Sequence, residues 1–510
     1  MPDDRVPIAA PGPDPRHTAP PAPSSLTESQ LLFWFAHELN PEVQLYFDAA
    51  TTTFSVDGEI DPVHFRLAFQ KLVDNCDSLR STFPTRNGAP YRHVTEGSAA
   101  PLELVDLGAL PDPAAAWESW LGERCRVRLD LERRLFDSAL VRLAPRRWVW
   151  FWNVHHIIAD AWSIARIAQT LSRYYRLACA AQLDSAPPLP SYQRYVEHER
   201  RLQESPRYEQ ARRYWEEKLS SPLVRATFYG REAARHGQLT VRSTIELGDR
   251  ESAAAVAAVR RAQLFSPAVV FATTLFSLLY RLTNERTLRI GTPFANRGED
   301  WAETVGLQMK ACPLQIQVDD GETFLSLARK VQRETVATAR YEFFPVRNPA
   351  PDPVYEIYLN YQNIAFTEFC GLPVEFALIQ TAASNDLFNL QVRDFSASGR
   401  FTLDFDLNAD VFDATERERT VGHYLRLLAA FCDREDQALA AAAMLSAEEE
   451  HELVHALNQT AVDFAAALPI HELIASRAAG APDATAVALG EQQLTYRELE
   501  LRAGQLAHRL

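Results

Sequence analysis

The chain has 510 residues, of which 47% are hydrophobic and 23% charged, and this length and composition are typical of a globular protein with two to four domains. A formal net charge of −15 disfavours nucleic acid as a partner, because its phosphates would be repelled. The six cysteines form no C-x-x-C pair, which excludes common zinc-finger and redox motifs, and neither a signal peptide nor a transmembrane segment is visible. We therefore expect a cytoplasmic protein that binds neither nucleic acid nor membranes.

The N-terminal part of the chain predicts a tail followed by helices. Proline supplies eight of the first 23 residues, so residues 1–23 are predicted to form a disordered tail. A helix is predicted over 24–39, where Ser25 or Thr27 is placed to cap it. The Asp-Pro pair at 61–62 predicts the start of another helix with an apolar stripe.

The middle of the chain predicts a buried strand followed directly by an amphipathic helix. Residues 148–158, WVWFWNVHHII, are almost all aromatic or β-branched, which favours a strand buried on both faces. From Trp162 to Ala180 the apolar residues recur at helical spacing. The proline-rich stretch 183–191 predicts a crossover between two lobes.

The second half of the chain repeats this mixture of elements. A helix capped by Ser266 is predicted first. It is followed by a strand that runs into a loop over 287–300, by strands within 354–363 and 400–412, and by a helix over 415–431. Two halves that both mix helices and strands indicate a two-lobed α/β fold with a site at the seam.

The stretch HHIIADAWS at 155–163 is the main candidate site. If the strand persists to Ile158, side chains alternate and His155 and His156 lie on opposite faces. Two histidines so placed do not reach one metal ion, and no H-E-x-x-H motif or cysteine cluster adds ligands, so we predict no metal site. Two interpretations stay open: both histidines are core residues, or one packs and the other does chemistry.

The residues after the histidine pair are compatible with a chemical role. Asp160 is placed in the turn either to orient an imidazole or to anchor the loop. The helix from Trp162 directs its N-terminus at the turn, where it is placed to stabilise an oxyanion. No G-x-S-x-G elbow or phosphate-binding glycine loop is present, and no cysteine lies within a few residues. A lone base suits direct attack by a bound amine or hydroxyl on an activated acyl group such as a thioester.

The stretch HHIIADAWS resembles the HHxxxDG motif of nonribosomal peptide synthetase condensation domains, which belong to the chloramphenicol acetyltransferase-like superfamily. Five further segments resemble other motifs of this family and occur along the chain in the same order as those motifs. They are LTESQLLFWF (26–35), CDSLRSTF (76–83), IGTPFANR (290–297), VGLQMKACPL (305–314) and DFDLNADVFD (404–413). The C-terminal segment, with LTYRELELRAGQLA at 494–507, is similar to the opening of an adenylation domain.

The resemblance implies an α/β fold in which two chloramphenicol acetyltransferase-like lobes form a V-shaped pseudo-dimer with a central tunnel. It implies an N-terminal lobe at 24–185, a C-terminal lobe at 186–450, a linker at 451–465 and the truncated start of an adenylation domain at 466–510. It also implies two partners, a donor carrier protein that acts in trans and the acceptor carrier protein of the same module. Their phosphopantetheine arms bring the substrates, no cofactor is tightly bound, and we expect a monomer.

The resemblance further implies that the chain forms an amide bond between a donor acyl thioester and the amine of an acceptor aminoacyl thioester, with His156 at the reaction centre. The residues implied in supporting roles are His155, Asp160 and Arg297, which orient the motif, and Ala161 and Trp162, which line the substrate tunnel.

Three positions depart from the family pattern. Ala161 replaces the motif glycine and adds a methyl group where the substrate passes close to the backbone. Lys310 stands where an asparagine is expected, and Tyr341 stands near the place of a histidine. The alternatives are a catalytically silent module that binds carriers or recruits a partner enzyme, and lipid-initiating condensation from acyl-CoA. An epimerisation domain would normally follow a carrier, and the paired-aspartate motif of heterocyclisation domains is absent.

Overall fold

The computed structural model describes much of the chain, and the described residues are 25–40, 50–97, 100, 102–221, 223, 225, 227–229, 231–232, 239–346, 353–363, 366–379, 383–395, 398–461 and 468–510. These residues fall into two compact units, Met1–Met444 and Leu445–Leu510. The tail predicted at 1–23 lies outside the described residues. Within the described ranges, no helix combines the length and apolar character needed to span a bilayer.

The elements alternate along the chain. The α-helices are α1 Glu28–Leu39, α2 Pro62–Asp74, α3 Pro113–Arg124, α4 Ala161–Cys179, α5 Tyr192–Gln203, α6 Pro206–Lys218, α7 Asp249–Arg261, α8 Pro267–Thr283, α9 Phe324–Ala339, α10 Ala414–Asp433, α11 Ala447–His451, α12 Ile470–Gly480 and α13 Tyr496–Ala507. The strands are β1 Ala50–Asp57, β2 Ser81–Thr82, β3 Thr85–Arg86, β4 Ala89–Pro90, β5 His93–Val94, β6 Glu103–Asp106, β7 Phe136–Ala144, β8 Arg147–Val154, β9 Thr227–Phe228, β10 Arg231–Glu232, β11 Thr240–Glu246, β12 Thr287–Phe294, β13 Lys310–Gln317, β14 Ile357–Gln362, β15 Glu368–Phe369, β16 Leu372–Ile379, β17 Phe388–Arg393, β18 Thr402–Asn408, β19 Thr485–Leu489 and β20 Gln492–Thr495.

Local sequence signals define the starts of several helices. Thr27 caps α1 in a reciprocal capping box, Asp61 accepts two backbone amides at the start of α2, and Ser266 caps α8. The predicted stripe of α4 is confirmed, because its apolar positions from Ile164 to Ala178 are buried. These helices therefore form where a polar cap precedes an amphipathic run.

The first lobe is built on a sheet with the strand order β15–β16–β1–β8–β7–β6. Strand β8 is buried on both faces, as predicted. Trp150 and Trp152 belong to the core that includes α2 and α4, whereas Val149 and Phe151 pack in the smaller core beside α3. The strand ends at Val154 and does not persist to Ile158, because the chain turns there into a 3₁₀ segment, His156–Ile158.

Two strands of the first sheet come from a later part of the chain than predicted. β16 pairs antiparallel with β1, with Phe376 opposite Phe54, and β15 pairs with β16 at the edge. The predicted C-terminal lobe at 186–450 is therefore wrong for residues 368–379. The order of elements along the chain gives no signal that strands from its second half join the sheet of the first lobe.

The second lobe is built on a sheet with the strand order β11–β18–β17–β14–β12–β13. The strand pairs β14–β17 and β12–β14 are parallel, and the other neighbours are antiparallel. Alternate residues of β17 and β18, such as Leu390 and Phe405, form an apolar face, and Phe405 contacts Tyr424 of α10. The opposite face carries polar residues, and those that are buried include Asn389, Gln391, Asp404 and Asp406.

The second unit contains α11, α12, α13 and the hairpin of β19 and β20. The segment predicted as a linker, 451–465, starts in helical conformation, because α11 continues into a π-helical turn at Glu452–Ala456. Positions 462–465 lie outside the described residues. Several large apolar side chains of this unit are at least 60% exposed, and these are Leu457, Ile470, Leu489, Leu501, Leu506 and Leu510.

Candidate active site

The two histidines that follow β8 have different environments. His155 is fully buried, its Nδ1 accepts the Ile157 amide at 3.1 Å, and its Nε2 lies 3.2 Å from His37 Nδ1. Because Nδ1 accepts, the proton of a neutral His155 resides on Nε2 and is donated to His37. Burial, followed by the neighbouring His37, His156 and Arg128, lowers the pKa of His155 well below its ordinary value. His155 is therefore a neutral residue that shapes the turn.

His156 faces open space. It is partly exposed and lines a cavity of about 290 Å³ that also contacts Phe54 of β1 and Ala295 beyond β12. The ring of Phe33 in α1 lies 6.0 Å from the imidazole, centroid to centroid. The cavity lies between the two sheets, so His156 is accessible to a ligand bound at the seam of the lobes.

Asp160 anchors the turn through both of its oxygens. Oδ1 accepts the Ser163 amide at 2.9 Å, which caps α4, and Oδ2 accepts the amides of Gln308 and Met309 at 3.0 and 3.2 Å. The carboxylate thus joins the start of α4 to a loop of the second lobe. Asp160 is already paired with the Ser163 amide in the first turn of α4. That amide is therefore not available to an oxyanion, as the predicted role of this helix N-terminus would require.

Arg297 completes this junction. Its Nη2 lies 2.8 and 3.0 Å from the two carboxylate oxygens of Asp160, and both side chains are about 97% buried. Nη2 also donates to Ser163 Oγ and to the carbonyl of Gly306, each at 2.8–2.9 Å. Burial raises the pKa of Asp160, but Arg297 and the hydrogen bonds outweigh this effect and hold it below the ordinary value. The pair is therefore charged in the folded protein.

The loop that meets Asp160 depends on a glycine. Gly306 has φ +152°, and a Cβ atom at this position would lie 2.0 Å from Cδ2 of Tyr192. The Tyr192 ring is fully buried, and its hydroxyl donates to the Leu307 carbonyl at 2.5 Å. Close packing of this ring on the loop therefore requires glycine.

The two predicted tunnel residues begin α4 and line the same cavity. Ala161 is its first residue, so the methyl group that replaces the motif glycine lies at the cavity wall. Trp162 is 39% exposed, and its Nε1 donates to the Ala302 carbonyl at 2.9 Å. Trp162 thus bonds to the loop that also carries Arg297.

The other two departures from the family pattern are integrated into the packing. Lys310 is buried and lies 2.9 Å from Glu199, whose second oxygen accepts the Glu28 amide. Tyr341 stacks on Tyr214 of α6 with ring centroids 4.3 Å apart. Both residues therefore have structural partners.

Comparison with known proteins identifies the family. The family model described as "Condensation domain" matches residues 23–454. The chain belongs to the condensation domain family. This match covers the first unit and ends in the helical turns that open the second, so it leaves the adenylation-like segment unmatched.

Curated relatives of this condensation domain are large synthetases. The chain is 27% identical over 510 residues to malpinin synthetase of Mortierella alpina, spanning 95% of this chain and 6% of that protein. It is 26% identical over 536 residues to phosphinothricin tripeptide synthetase PhsC of Streptomyces viridochromogenes, spanning 98% of this chain and 48% of that protein. The chain thus spans less than half the length of these two relatives.

Solved condensation domains share the fold. One is the first condensation domain of the calcium-dependent antibiotic synthetase in complex with a substrate analogue, with a TM-score of 0.72, 21% identity, and 83% of this chain and 99% of that chain covered. Another is a variant of the starter condensation domain of rhizomide synthetase RzmA in complex with C8-CoA, with a TM-score of 0.74, 22% identity, and 83% and 98% covered. The fold class predicted from the sequence, α/β with two sheet-containing lobes, is confirmed.

Of the six site residues named from the sequence, four line the cavity, and these are His156, Asp160, Ala161 and Trp162. The other two lie behind them, with Arg297 on Asp160 and His155 beside His37. Two features of this condensation domain were not predicted from the sequence. His37 lies in α1 and contacts His155 across 118 positions of the chain. The cavity wall formed by β17 was also missed, although the alternation FNLQVR at 388–393 is typical of a strand with one polar face.

Proposed function

We propose that this condensation domain catalyses amide bond formation between a donor acyl or peptidyl thioester and the amine of an acceptor aminoacyl thioester, with His156 at the reaction centre. The observation that carries the proposal is the position of His156 on the cavity between the sheets, beside the first turn of α4. Membership of the family supports the type of reaction.

The chemistry follows from the groups at the cavity. The lone pair of the acceptor nitrogen attacks the thioester carbonyl carbon, the carbon–nitrogen bond forms, and the carbon–sulfur bond breaks as the sulfur of the donor carrier's arm leaves with the bonding electron pair. The attacking nitrogen loses a proton, the imidazole of His156 accepts it, and the imidazolium then passes it to the leaving sulfur, which departs as a thiol. A thioester is already activated, so no acyl-enzyme is required.

The partners belong to the same proposal. Two carrier proteins deliver the substrates on phosphopantetheine arms, the donor carrier in trans and the acceptor carrier from the same module. Residues 466–510 represent the start of a downstream adenylation domain, an interpretation supported by the LTYRELELRAGQLA sequence and by the exposed apolar side chains of α12 and α13.

One alternative has a specific observation in its favour. The wall of the cavity on the first lobe is apolar and includes Phe54, Phe366 and Phe376, and the rhizomide synthetase domain with this fold was solved with C8-CoA. A donor supplied as acyl-CoA is therefore the second candidate, and it differs from the first in the source of the acyl group.

The decisive experiment is reconstitution of the 510-residue chain with loaded carriers and detection of the product by mass spectrometry. Single-turnover rates are compared for the wild type, His156→Ala and the matched control His93→Ala, which removes an exposed histidine. We expect His156→Ala to lower the rate about 10²- to 10⁴-fold and His93→Ala to leave it unchanged. Full product formation by His156→Ala would refute the role of His156, and product from acyl-CoA without a donor carrier would favour the alternative.

A further inference from the structure

The cavity has two chemically different walls. The wall from the first lobe is formed by aromatic and aliphatic side chains such as Phe376 and Leu378. The wall from the second lobe is the polar face of its sheet, including Asn389 and Gln391 of β17. These two residues alternate with Leu390 and therefore point to the same face of the strand.

The side chains of the polar wall are joined by hydrogen bonds to a buried carboxylate. Arg242 of β11 donates to both oxygens of Asp406 in β18, at 2.7 and 2.6 Å. Gln391 Nε2 donates to Asp406 Oδ2 at 3.3 Å. Because the carboxylate accepts only from the amide nitrogen, this bond fixes the orientation of the Gln391 amide. Its oxygen is thereby held as an acceptor.

That oxygen lacks a protein donor. Gln391 is 7% exposed and Asn389 is 3% exposed, and among the described residues no donor reaches Gln391 Oε1 or Asn389 Oδ1. Leaving a buried acceptor unpaired costs about 1–3 kcal/mol. Both residues line the cavity, so a molecule bound there is placed to supply the missing donors.

We propose that Gln391, held by Asp406 and Arg242, is a specificity-determining residue that binds an N–H or O–H group of the acyl moiety occupying this cavity. The inference rests on the proposed function and adds the substrate class, an acyl group with an apolar surface and a hydrogen-bond donor. An unsubstituted alkyl chain fills the apolar wall but leaves the Gln391 oxygen unpaired, so the site discriminates against it.

The test measures binding to the complete chain with matched pairs of N-acetylcysteamine thioesters, titrated by ligand-observed NMR. Each pair differs in one donor group: leucyl against 4-methylpentanoyl, N-acetylglycyl against 4-oxopentanoyl, and 6-hydroxyhexanoyl against heptanoyl. We expect at least one donor-bearing member to bind about 3- to 10-fold more tightly than its partner, as expected for one hydrogen bond. Gln391→Met is expected to abolish that preference without weakening binding of the donor-free member.

Controls make each outcome decisive. Gln317→Met replaces an exposed glutamine of β13, in the same sheet, and is expected to retain the preference. Equal affinities within every pair in the wild type, tighter binding of the donor-free members, absence of binding by all probes, or a preference that survives Gln391→Met would each overturn the proposal. The wild-type comparison needs no variant, so misfolding of Gln391→Met cannot decide the result. Because binding is measured without turnover, this test fails independently of the proposed condensation activity.

Discussion

The carboxylate of Asp160 is a junction between α4, the loop at 304–309 and Arg297. Through these contacts Asp160 positions the turn that carries His156. This role requires no hydrogen bond between Asp160 and the His156 imidazole. The same ion pair joins residues from the two lobes, since Arg297 follows β12 of the second sheet. Loss of either partner leaves the other charge buried, and such a charge is costly.

We expect Arg297→Ala to lower the free energy of unfolding by about 3–5 kcal/mol, because it leaves the Asp160 carboxylate buried without its counter-ion. Chemical denaturation checks this value. The double variant Arg297→Met with Asp160→Leu is expected to lose less stability than the sum of the two single changes, because it leaves no unpaired charge. A loss below about 1 kcal/mol for Arg297→Ala would contradict a buried pair.

The pH dependence of stability follows from the same carboxylate. Folding lowers the pKa of Asp160 below its ordinary value of 3.8. A carboxyl group with a depressed pKa contributes stability that is fully present above its unfolded pKa and is lost as the pH falls through the folded pKa. The difference in unfolding free energy between wild type and Asp160→Asn is therefore expected to be constant above about pH 5 and to shrink below about pH 4. Denaturation curves across this range test the sign, and a difference that grows on acidification would contradict it.

For single residues, the sequence predicts those whose partners lie in the same short run or in a recognisable motif. His156 and Asp160 belong to one short run, and the family resemblance supplied Arg297. The partners His37 of His155 and Glu199 of Lys310 were not predictable, because each lies more than 100 positions away and only the fold brings the pairs together. Neither residue stands in a motif that marks it.

Besides its bonds to Asp160 and Arg297, the loop between Arg297 and β13 packs against α5, where Tyr192 contacts Gly306. We expect Gly306→Ala to lower the free energy of unfolding by about 1–3 kcal/mol, because the added methyl group would lie 2.0 Å from the ring. The thermal melting midpoint is the measurement. The matched control is Gly122→Ala in α3, where a Cβ atom meets nothing within 4 Å and a small gain in helix stability is expected. Equal melting midpoints for Gly306→Ala and wild type would refute the contact.

Helices were predicted better than strands. The starts of α1, α2 and α8 follow from caps and adjacent apolar stripes, which are local signals. Strand β16 was missed because its stability comes from pairing with β1, more than 300 positions earlier. The end of β8 was misplaced by four residues, since the turn depends on the His155 ring accepting the Ile157 amide, a contact that residue type alone does not indicate.

At the scale of the whole molecule, the first unit retains its own C-terminal contacts. Arg281 donates to the carbonyls of Leu439 and Ala442 at 2.7 Å, and Arg426 donates to the Met444 carbonyl at 3.2 Å. We therefore expect a chain that ends at Ala456 to keep the melting midpoint of the main transition within about 2 °C, and to keep its rate of amide formation. Calorimetry and the carrier assay measure the two quantities. A large fall in either one would assign residues 457–510 a role in the first unit.

The exchange of β15 and β16 into the first sheet limits how the protein can be recombined. A fragment that ends at the crossover 183–191 lacks both strands and exposes the backbone edge of β1, which is a template for intermolecular pairing and aggregation. Chimaeras with related synthetases that swap halves at this crossover would mismatch the Phe54–Phe376 contact. Successful grafts are expected to transfer residues 368–379 together with the N-terminal half, although the surrounding sequence stays behind.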